Sequence, residues 1–241
     1  KNKILMIIGP TGIGKSRLSI EKARDLDGEI ISADAFQVYK GMDIGTAKVS
    51  KKIQNEFPHH LIDIKNPDQG YSVAEFIEKT ETLITDIQSR GKKVIICGGT
   101  AFYTQAFLYG YSFSENDYKD EDYRDALLKK AEENGVERLW DELKTIDPIS
   151  AEKIPAQNLR RVIRALERYH LTGIPPSQND TREDSPRKDC KIIGITAKRE
   201  LVYDRINKRV DKMIEEGLID EVKRLIQKFP ENSPGFQALG Y

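Results

Sequence analysis

Gly9-Pro10-Thr11-Gly12-Ile13-Gly14-Lys15-Ser16 fills every fixed position of the P-loop pattern. The apolar stretch Ile4-Leu5-Met6-Ile7-Ile8 precedes it, and Leu18, Ile20 and Ala23 follow at helical spacing. Strand, glycine loop and helix in that order are the context in which this motif holds phosphate rather than merely turning the chain. The glycines let successive backbone amides curl around an anion, and the helix N-terminus adds a partial positive charge. Lys15 brings a point charge to the terminal phosphates, and the Ser16 hydroxyl is suited to ligating Mg²⁺. The stretch predicts a site for a di- or triphosphate.

Four further short apolar runs read as buried strands: Glu29–Ser32, His60–Ile64, Lys93–Cys97 and Lys191–Thr196. Helical patterns lie between the first four strands, including Ile53–Phe57 and Val73–Ser89. The alternation predicts an α/β fold, a P-loop NTPase-like doubly wound parallel sheet with ligands at the C-terminal strand edges. A charged, mostly helical stretch separates the fourth and fifth strands and is too long for one crossover. It reads as an inserted helical subdomain over 111–188, the catalytic core being 1–110 and 189–241. The polar, proline-bearing Pro175–Arg187 closes the insertion as a loop. Beyond the fifth strand, Leu201–Lys228 reads as one or two amphipathic helices carrying Arg205, Arg209, Lys212 and Arg224.

Composition narrows the classes. Lys and Arg number 39 against 39 Asp and Glu, so there is no global basic field for indiscriminate nucleic-acid binding, although a local basic face can still hold RNA. Cys97 and Cys190 lie far apart with no metal-ligand spacing, which suits a reducing compartment. No run approaches membrane-spanning length, and the first strand is too short for a secretory segment. A soluble cytoplasmic protein is expected. The missing initiator methionine and the stop at Ala238-Leu239-Gly240-Tyr241 suggest a piece of something longer.

The second strand ends in Ile30-Ile31-Ser32-Ala33-Asp34, which places a carboxylate at the ligand-bearing edge. Asp34 there can ligate Mg²⁺, act as a general base, or cap the following turn. Tyr39-Lys40-Gly41-Met42-Asp43-Ile44-Gly45-Thr46-Ala47-Lys48 is loop-like, and rich in anion and hydroxyl contacts. Asp63 lies inside its apolar run rather than at the run's end, unlike a Walker B acid. The fourth strand ends instead in Gly98-Gly99-Thr100, which is either a plain tight turn or open space for a substrate near the phosphates.

Taken together, these motifs resemble the tRNA dimethylallyltransferase family, also called tRNA isopentenyltransferases. Gly9–Ser16, Asp34–Lys48, His59–Asp63, Gly98–Tyr103, Arg161–Gly173 and Arg205–Gly217 occur in family order and cover essentially the whole chain. The resemblance implies transfer of a dimethylallyl group from its diphosphate to the exocyclic amine of an adenine beside the tRNA anticodon. On that reading Gly9, Pro10, Thr11, Gly12, Ile13, Gly14, Lys15 and Ser16 bind the diphosphate leaving group, with Mg²⁺ on Ser16. Asp34 falls on the family's general base, and Thr11 contacts the diphosphate or orients that carboxylate. Arg205 and Arg209 match family arginines, one of which reaches the diphosphate. Asp34, Ala35, Phe36, Gln37 and Thr100 are implied to face the target nucleotide. Arg124, Arg160, Arg161 and Arg164 are implied to contact the anticodon stem-loop. A monomer is expected.

Several positions depart from the pattern. Ala35 stands where the family usually has Ser, Gln157-Asn158 where it has Asn-Asp, and Ala101-Phe102 where Gly-Leu is common. The family also continues past Gly240-Tyr241 into helices with basic tRNA contacts. Alternatives remain: a prenyltransferase acting on free adenine nucleotides, a P-loop kinase of a small metabolite or nucleoside, and a tRNA-binding protein without catalysis. The inserted arginine-rich helix, with Arg160, Arg164 and Arg168 at four-residue spacing, favours tRNA over a free nucleotide. His59 and His60 read as packing residues, adjacent on a strand and with no acidic or cysteine partner at ligand spacing. His170 reads as a C-terminal helix cation, and Cys97 as a small apolar residue. Packing is also the expected role of Trp140 and of the tyrosines between 109 and 123.

Overall fold

The structure is a computed structural model that describes residues 3–111, 120–178 and 182–241. Tyr118 and the middle of the Pro175–Arg187 loop lie outside the described residues. The chain divides into two compact units, 1–110 with 184–241, and 111–183. The dividing line falls at 184 rather than 189. Arg187 explains the difference: its amide donates to Leu108 O at 2.9 Å and its guanidinium lies 4.4 Å from the Phe107 ring centroid, so the segment packs with the core.

The first unit is built on five parallel strands in the order β3-β2-β4-β1-β5. Strand β1 (Ile4–Ile8) pairs with β4 (Lys93–Gly98) on one side and β5 (Cys190–Gly194) on the other. Strand β2 (Gly28–Ser32) pairs with β4 and with β3 (His59–His60). Because β4 inserts between β1 and β2, the C-terminal ends of all three lie side by side. Those ends carry the P-loop, Asp34 and Gly98-Gly99-Thr100. Ile4, Met6, Ile7, Ile31, Ile95 and Ile96 are fully buried, as near-continuous apolar strands covered on both faces should be. Helix α1 (Lys15–Leu26) covers one face, and α3 (Val73–Ser89), N-capped by Ser72, packs into the other core cluster through Phe76, Ile84 and Ile87.

Two strands differ from the sequence expectation. The run His60–Ile64 stops being a strand after His60, since Leu61 and Asp63 adopt φ of 62° and 58°. The chain turns there to pair with the loop after β2: Asp63 N donates to Gln37 O, and Ile64 N to Val38 O. Strand β5 is not buried. It pairs only with β1, at the sheet edge, and leaves Lys191 and Ile192 exposed. Helix α2 (Lys51–Glu56) is a short segment N-capped by Ser50. Helix α4 (Ala101–Leu108) follows the Gly98-Gly99-Thr100 turn.

In the second unit, α5 (Glu121–Asn134), α6 (Val136–Ile146), α7 (Pro148–Lys153) and α8 (Leu159–Thr172) enclose a core of Leu127, Leu139, Leu143, Val162, Ile163 and Leu166. Asn158 caps α8 by accepting from Arg161 N at 3.3 Å, and Gly173 closes it in a left-handed conformation. The departure at Gln157-Asn158 therefore keeps its cap. Back in the first unit, α9 (Arg199–Glu215) and α10 (Leu218–Ile226) are split by Gly217 at φ 97°. Among the described residues no helix is long and apolar enough to cross a membrane.

Candidate functional site

The P-loop residues open a cleft of about 530 Å³ at the strand ends. Gly14, at φ 106°, is the N-cap of α1 and turns the loop into the helix, a conformation an L side chain would resist. Lys15 Nζ reaches back across the loop to Gly9 O at 2.9 Å and Pro10 O at 2.8 Å. Burial pushes this ammonium below its ordinary pKa, opposed by the charges of Cys97 and Asp34 and reinforced by Arg209. A partly desolvated cation in such a place gains from a bound anion. The Ser16 hydroxyl makes no hydrogen bond to another described residue and faces the same cleft.

Opposite the cradle stands Asp34. Its Oδ1 accepts from Phe36 N at 2.9 Å and Gln37 N at 3.3 Å, which orders the turn after β2. Its second oxygen has no hydrogen bond among the described residues, so one carboxylate caps the turn and keeps an oxygen free at the cleft. Thr100 Oγ1 accepts from Ala35 N at 3.0 Å and ties the β4 turn to this one. The two turns touch because Gly98 has no side chain: a Cβ there would stand 2.1 Å from Ala33 O. Gly98 thus serves backbone contact rather than substrate space, while Gly99 leaves room for Lys15, whose Nζ a Cβ would approach to 3.2 Å.

Thr11, Gly12, Gly14, Lys15, Ser16, Asp34, Phe36, Gln37, Thr100 and Arg209 all line this cleft. Gly9, Pro10, Ile13, Ala35 and Arg205 do not. Ile13 is a buried packing residue, and Ala35 packs half-buried against the Ile31–Phe76 cluster. Between the two arginines of α9, Arg205 Nη1 sits 3.4 Å from Ile13 O, behind the loop, whereas Arg209 faces the cleft with a buried Nε that lacks a hydrogen-bond partner. Geometry singles out Arg209 for an anion in the cleft. Among the described residues no group of three or more His, Cys, Asp or Glu could hold a metal ion. The donor set suits Mg²⁺ held by Ser16 together with phosphate oxygens and water, not a protein cage.

The far wall of the cleft went unassigned in the sequence. Gly45, Thr46 and Ala47 line it, and the loop that carries them is anchored from afar. Lys48, its side chain 2 % exposed, donates to Tyr39 O at 2.5 Å, Asp43 at 2.9 Å and Asp63 at 2.5 Å. Lys51 binds the other oxygen of Asp63, and these ammonium partners hold its carboxyl below the usual range against the opposing effect of burial. Asp63 is a loop anchor, and its place inside the apolar run follows from that. Cys97 and His59 also face the cleft; His59 Nδ1 lies 2.6 Å from Phe57 O. Burial pushes the Cys97 thiol up and the His59 imidazole down from their ordinary values. His60 pairs with buried Glu29 on the neighbouring strand, which lies 2.7 Å from Nε2.

On the second unit Arg161 and Arg160 are exposed along α8, and Arg164 Nη1 donates to buried Glu167 at 2.8 Å. Arg124 is half-buried in the first turn of α5. The Trp140 indole donates to Ile154 O at 2.8 Å, and Tyr123 stacks on His170 with centroids 3.9 Å apart.

A sequence model of the family described as IPP transferase matches residues 37–241. The chain is 48% identical over 242 residues to a tRNA dimethylallyltransferase of Bacillus cereus (strain B4264), spanning all of this chain and 76% of that protein. It is 50% identical over 240 residues to a tRNA dimethylallyltransferase of Geobacillus thermodenitrificans, covering 99% of this chain and 76% of the relative. The solved structure of the full-length tRNA isopentenylpyrophosphate transferase of Bacillus halodurans superposes with a TM-score of 0.67 at 44% identity, over all of this chain and 75% of that one. A eukaryotic dimethylallyltransferase solved acting on tRNA gives a TM-score of 0.85 at 29% identity, over all of this chain and 62% of that one.

Proposed function

The chain belongs to the IPP transferase family, that of the tRNA dimethylallyltransferases, and we propose that its cleft transfers a dimethylallyl group from dimethylallyl diphosphate to the exocyclic amine of an adenine beside the tRNA anticodon. The observation that carries this reading is the pairing, in one cleft, of Thr11, Gly12, Gly14, Lys15 and Ser16 of the P-loop with a carboxylate that keeps one oxygen unbonded.

Each group then has a task. The loop amides, Lys15 and Arg209 hold the diphosphate and neutralise the charge that grows on it as the allylic carbon–oxygen bond breaks. Bound Mg²⁺, held by Ser16, would supply further charge neutralisation at the same oxygens. The electron pair of the broken bond leaves with the diphosphate, and the adenine nitrogen forms the new bond to carbon. That nitrogen is a weak nucleophile, its lone pair delocalised into the ring. The second oxygen of Asp34 accepts the proton it sheds. The target base has to leave its stack to reach the cleft. The arginines of α8 and Arg124 offer contacts for phosphates and unstacked bases of the anticodon stem-loop.

The test is mass spectrometry of unmodified tRNA and of free AMP, each incubated with the chain, dimethylallyl diphosphate and Mg²⁺. A prenyl mass gain on tRNA alone is expected. A gain on AMP, or transfer of phosphate from ATP in its place, would overturn the assignment. The relatives named above are tRNA dimethylallyltransferases and tRNA isopentenylpyrophosphate transferases, in line with the first outcome.

A further inference from the structure

Three consecutive amides of the far wall converge on one side chain. Glu221 of α10, 2 % exposed, accepts from Asp43 N at 3.1 Å, from Ile44 N at 2.9 Å and from Gly45 N at 3.3 Å. The Tyr241 hydroxyl donates to the same carboxylate and itself accepts from Gly45 N at 3.0 Å. Burial, and the neighbouring Glu221, push that hydroxyl well above its ordinary pKa, which keeps it a donor. The fit leaves no slack, since a Cβ on Gly45 would stand 2.4 Å from the Tyr241 ring. A buried carboxylate is tolerated only where its hydrogen bonds are met, and here three backbone donors and a phenol meet them.

The next residue of the loop carries the contact onward. Thr46 O accepts from Gln37 Nε2 at 3.2 Å, while Gln37 Oε1 accepts from Ser32 Oγ at 2.9 Å. The Gln37 backbone amide donates to Asp34 Oδ1. Hydrogen bonds linked through the Gly45–Thr46 peptide and the Gln37 side chain therefore join α10 to the carboxylate assigned as the base. Glu221 and Tyr241 do not line the cleft, so any role they have in the reaction passes through the loop.

We infer that Glu221, supported by the Tyr241 hydroxyl, is a positioning residue: it fixes the loop 43–46 and, through Gln37, the orientation of Asp34. The inference rests on the prenyl-transfer reading above. Glu221→Gln replaces one acceptor oxygen with an amide NH2, a donor that meets a backbone N–H head-on. The cradle is untouched, so the donor should bind as before while the proton acceptor is misaligned.

Two measurements on the full chain test this. In hydrogen–deuterium exchange, Glu221→Gln should speed the amides of 43–45 and also those of Phe36 and Gln37 by about tenfold, with the β4 amides unchanged. In steady-state transfer to tRNA, kcat should fall about tenfold while the KM for dimethylallyl diphosphate stays within about twofold. Tyr241→Phe, which retains the carboxylate, should move both readouts the same way by a smaller factor and covers the case in which Glu221→Gln does not fold. Unchanged exchange at Phe36 and Gln37 would overturn the coupling, as would an unchanged kcat per folded molecule. A wild-type chain that prenylates no tRNA would refute the transfer reading instead, and the exchange experiment would still decide whether α10 reaches Asp34.

Discussion

The two walls of the cleft are built in opposite ways. The phosphate cradle is eight consecutive residues that run from the end of a strand into the first turn of a helix, turned by their own glycines. The wall at 43–47 has no such independence. Its amides are held by Glu221, 176 to 178 positions further along the chain, the adjoining Lys48 by Asp63, and Gly45 also by Tyr241, 196 positions away. One wall takes its turn from its own glycines and receives a side-chain hydrogen bond from afar, Arg205 on Ile13 O; the other is held throughout by residues distant in the chain. Donor binding and acceptor chemistry should therefore fail separately.

The largest expected effect is at the junction of the two walls. Asp34→Asn should lower the single-turnover rate of transfer by a factor of about 10²–10⁴, as for loss of a general base, with calorimetric affinity for the donor largely retained. Unchanged turnover would remove Asp34 from the chemistry. Next in size is Lys48→Met. It strips the buried ammonium from Asp43 and Asp63, which should cost about 2–3 kcal/mol in urea unfolding. That is less than a fully buried pair would lose, because Asp63 keeps Lys51 and the Asp43 side chain is 51% exposed. Donor affinity should change little, and a collapse of it would show that the walls are not independent. Arg161→Ala sharpens the division from the second unit. It should weaken tRNA binding about tenfold and lower the salt slope by about one, with the donor KM unmoved.

The same division explains what could be read from the chain before its structure. The P-loop, the parallel strands and Val73–Ser89 follow from local pattern, and the helix runs from Val73 to Ser89 as its periodicity predicts. The place of Asp34 at the cleft was legible because it ends a strand whose C-terminal edge faces the ligand side in this architecture. The end of strand β3 was not: Leu61-Ile62-Asp63-Ile64 is mostly apolar and strand-like, yet Leu61 and Asp63 take left-handed conformations and Asp63 is held by Lys48 and Lys51. Strand β5 carries a buried-strand pattern but lies at the sheet edge, and sequence order says nothing of spatial order. Glu221 had no signal at all. On an amphipathic helix a glutamate reads as a solvated charge, and only the folded loop shows the three amides it serves.

The smallest effect tests whether the assembled wall can be loosened by acid alone. Glu29 on β2, the strand beside β3, binds both Arg90 Nη atoms and His60 Nε2, so it helps hold the two-residue strand from which the chain runs on to Asp63. The Arg90 guanidinium, chiefly, holds its carboxyl down at about 2, from an ordinary 4.5, with His60 assisting and burial opposing. A carboxylate with a depressed folded-state pKa stabilises the fold fully above its unfolded value, and that contribution is lost as pH falls toward the folded one. The loss begins near pH 4.5 and runs to about 2. By pH 4 it should amount to no more than about 1 kcal/mol, reduced further because Arg90 is partly exposed and screened. Urea unfolding of the wild type and Glu29→Gln at pH 7, 5, 4 and 3 should show a stability gap that narrows with acid. Over the same range, exchange at 59–63 and 43–48 should quicken before exchange in the P-loop does. Equal quickening of both would mean that the cradle depends on the sheet edge as much as the far wall does, and the contrast between a local and an assembled wall would not stand.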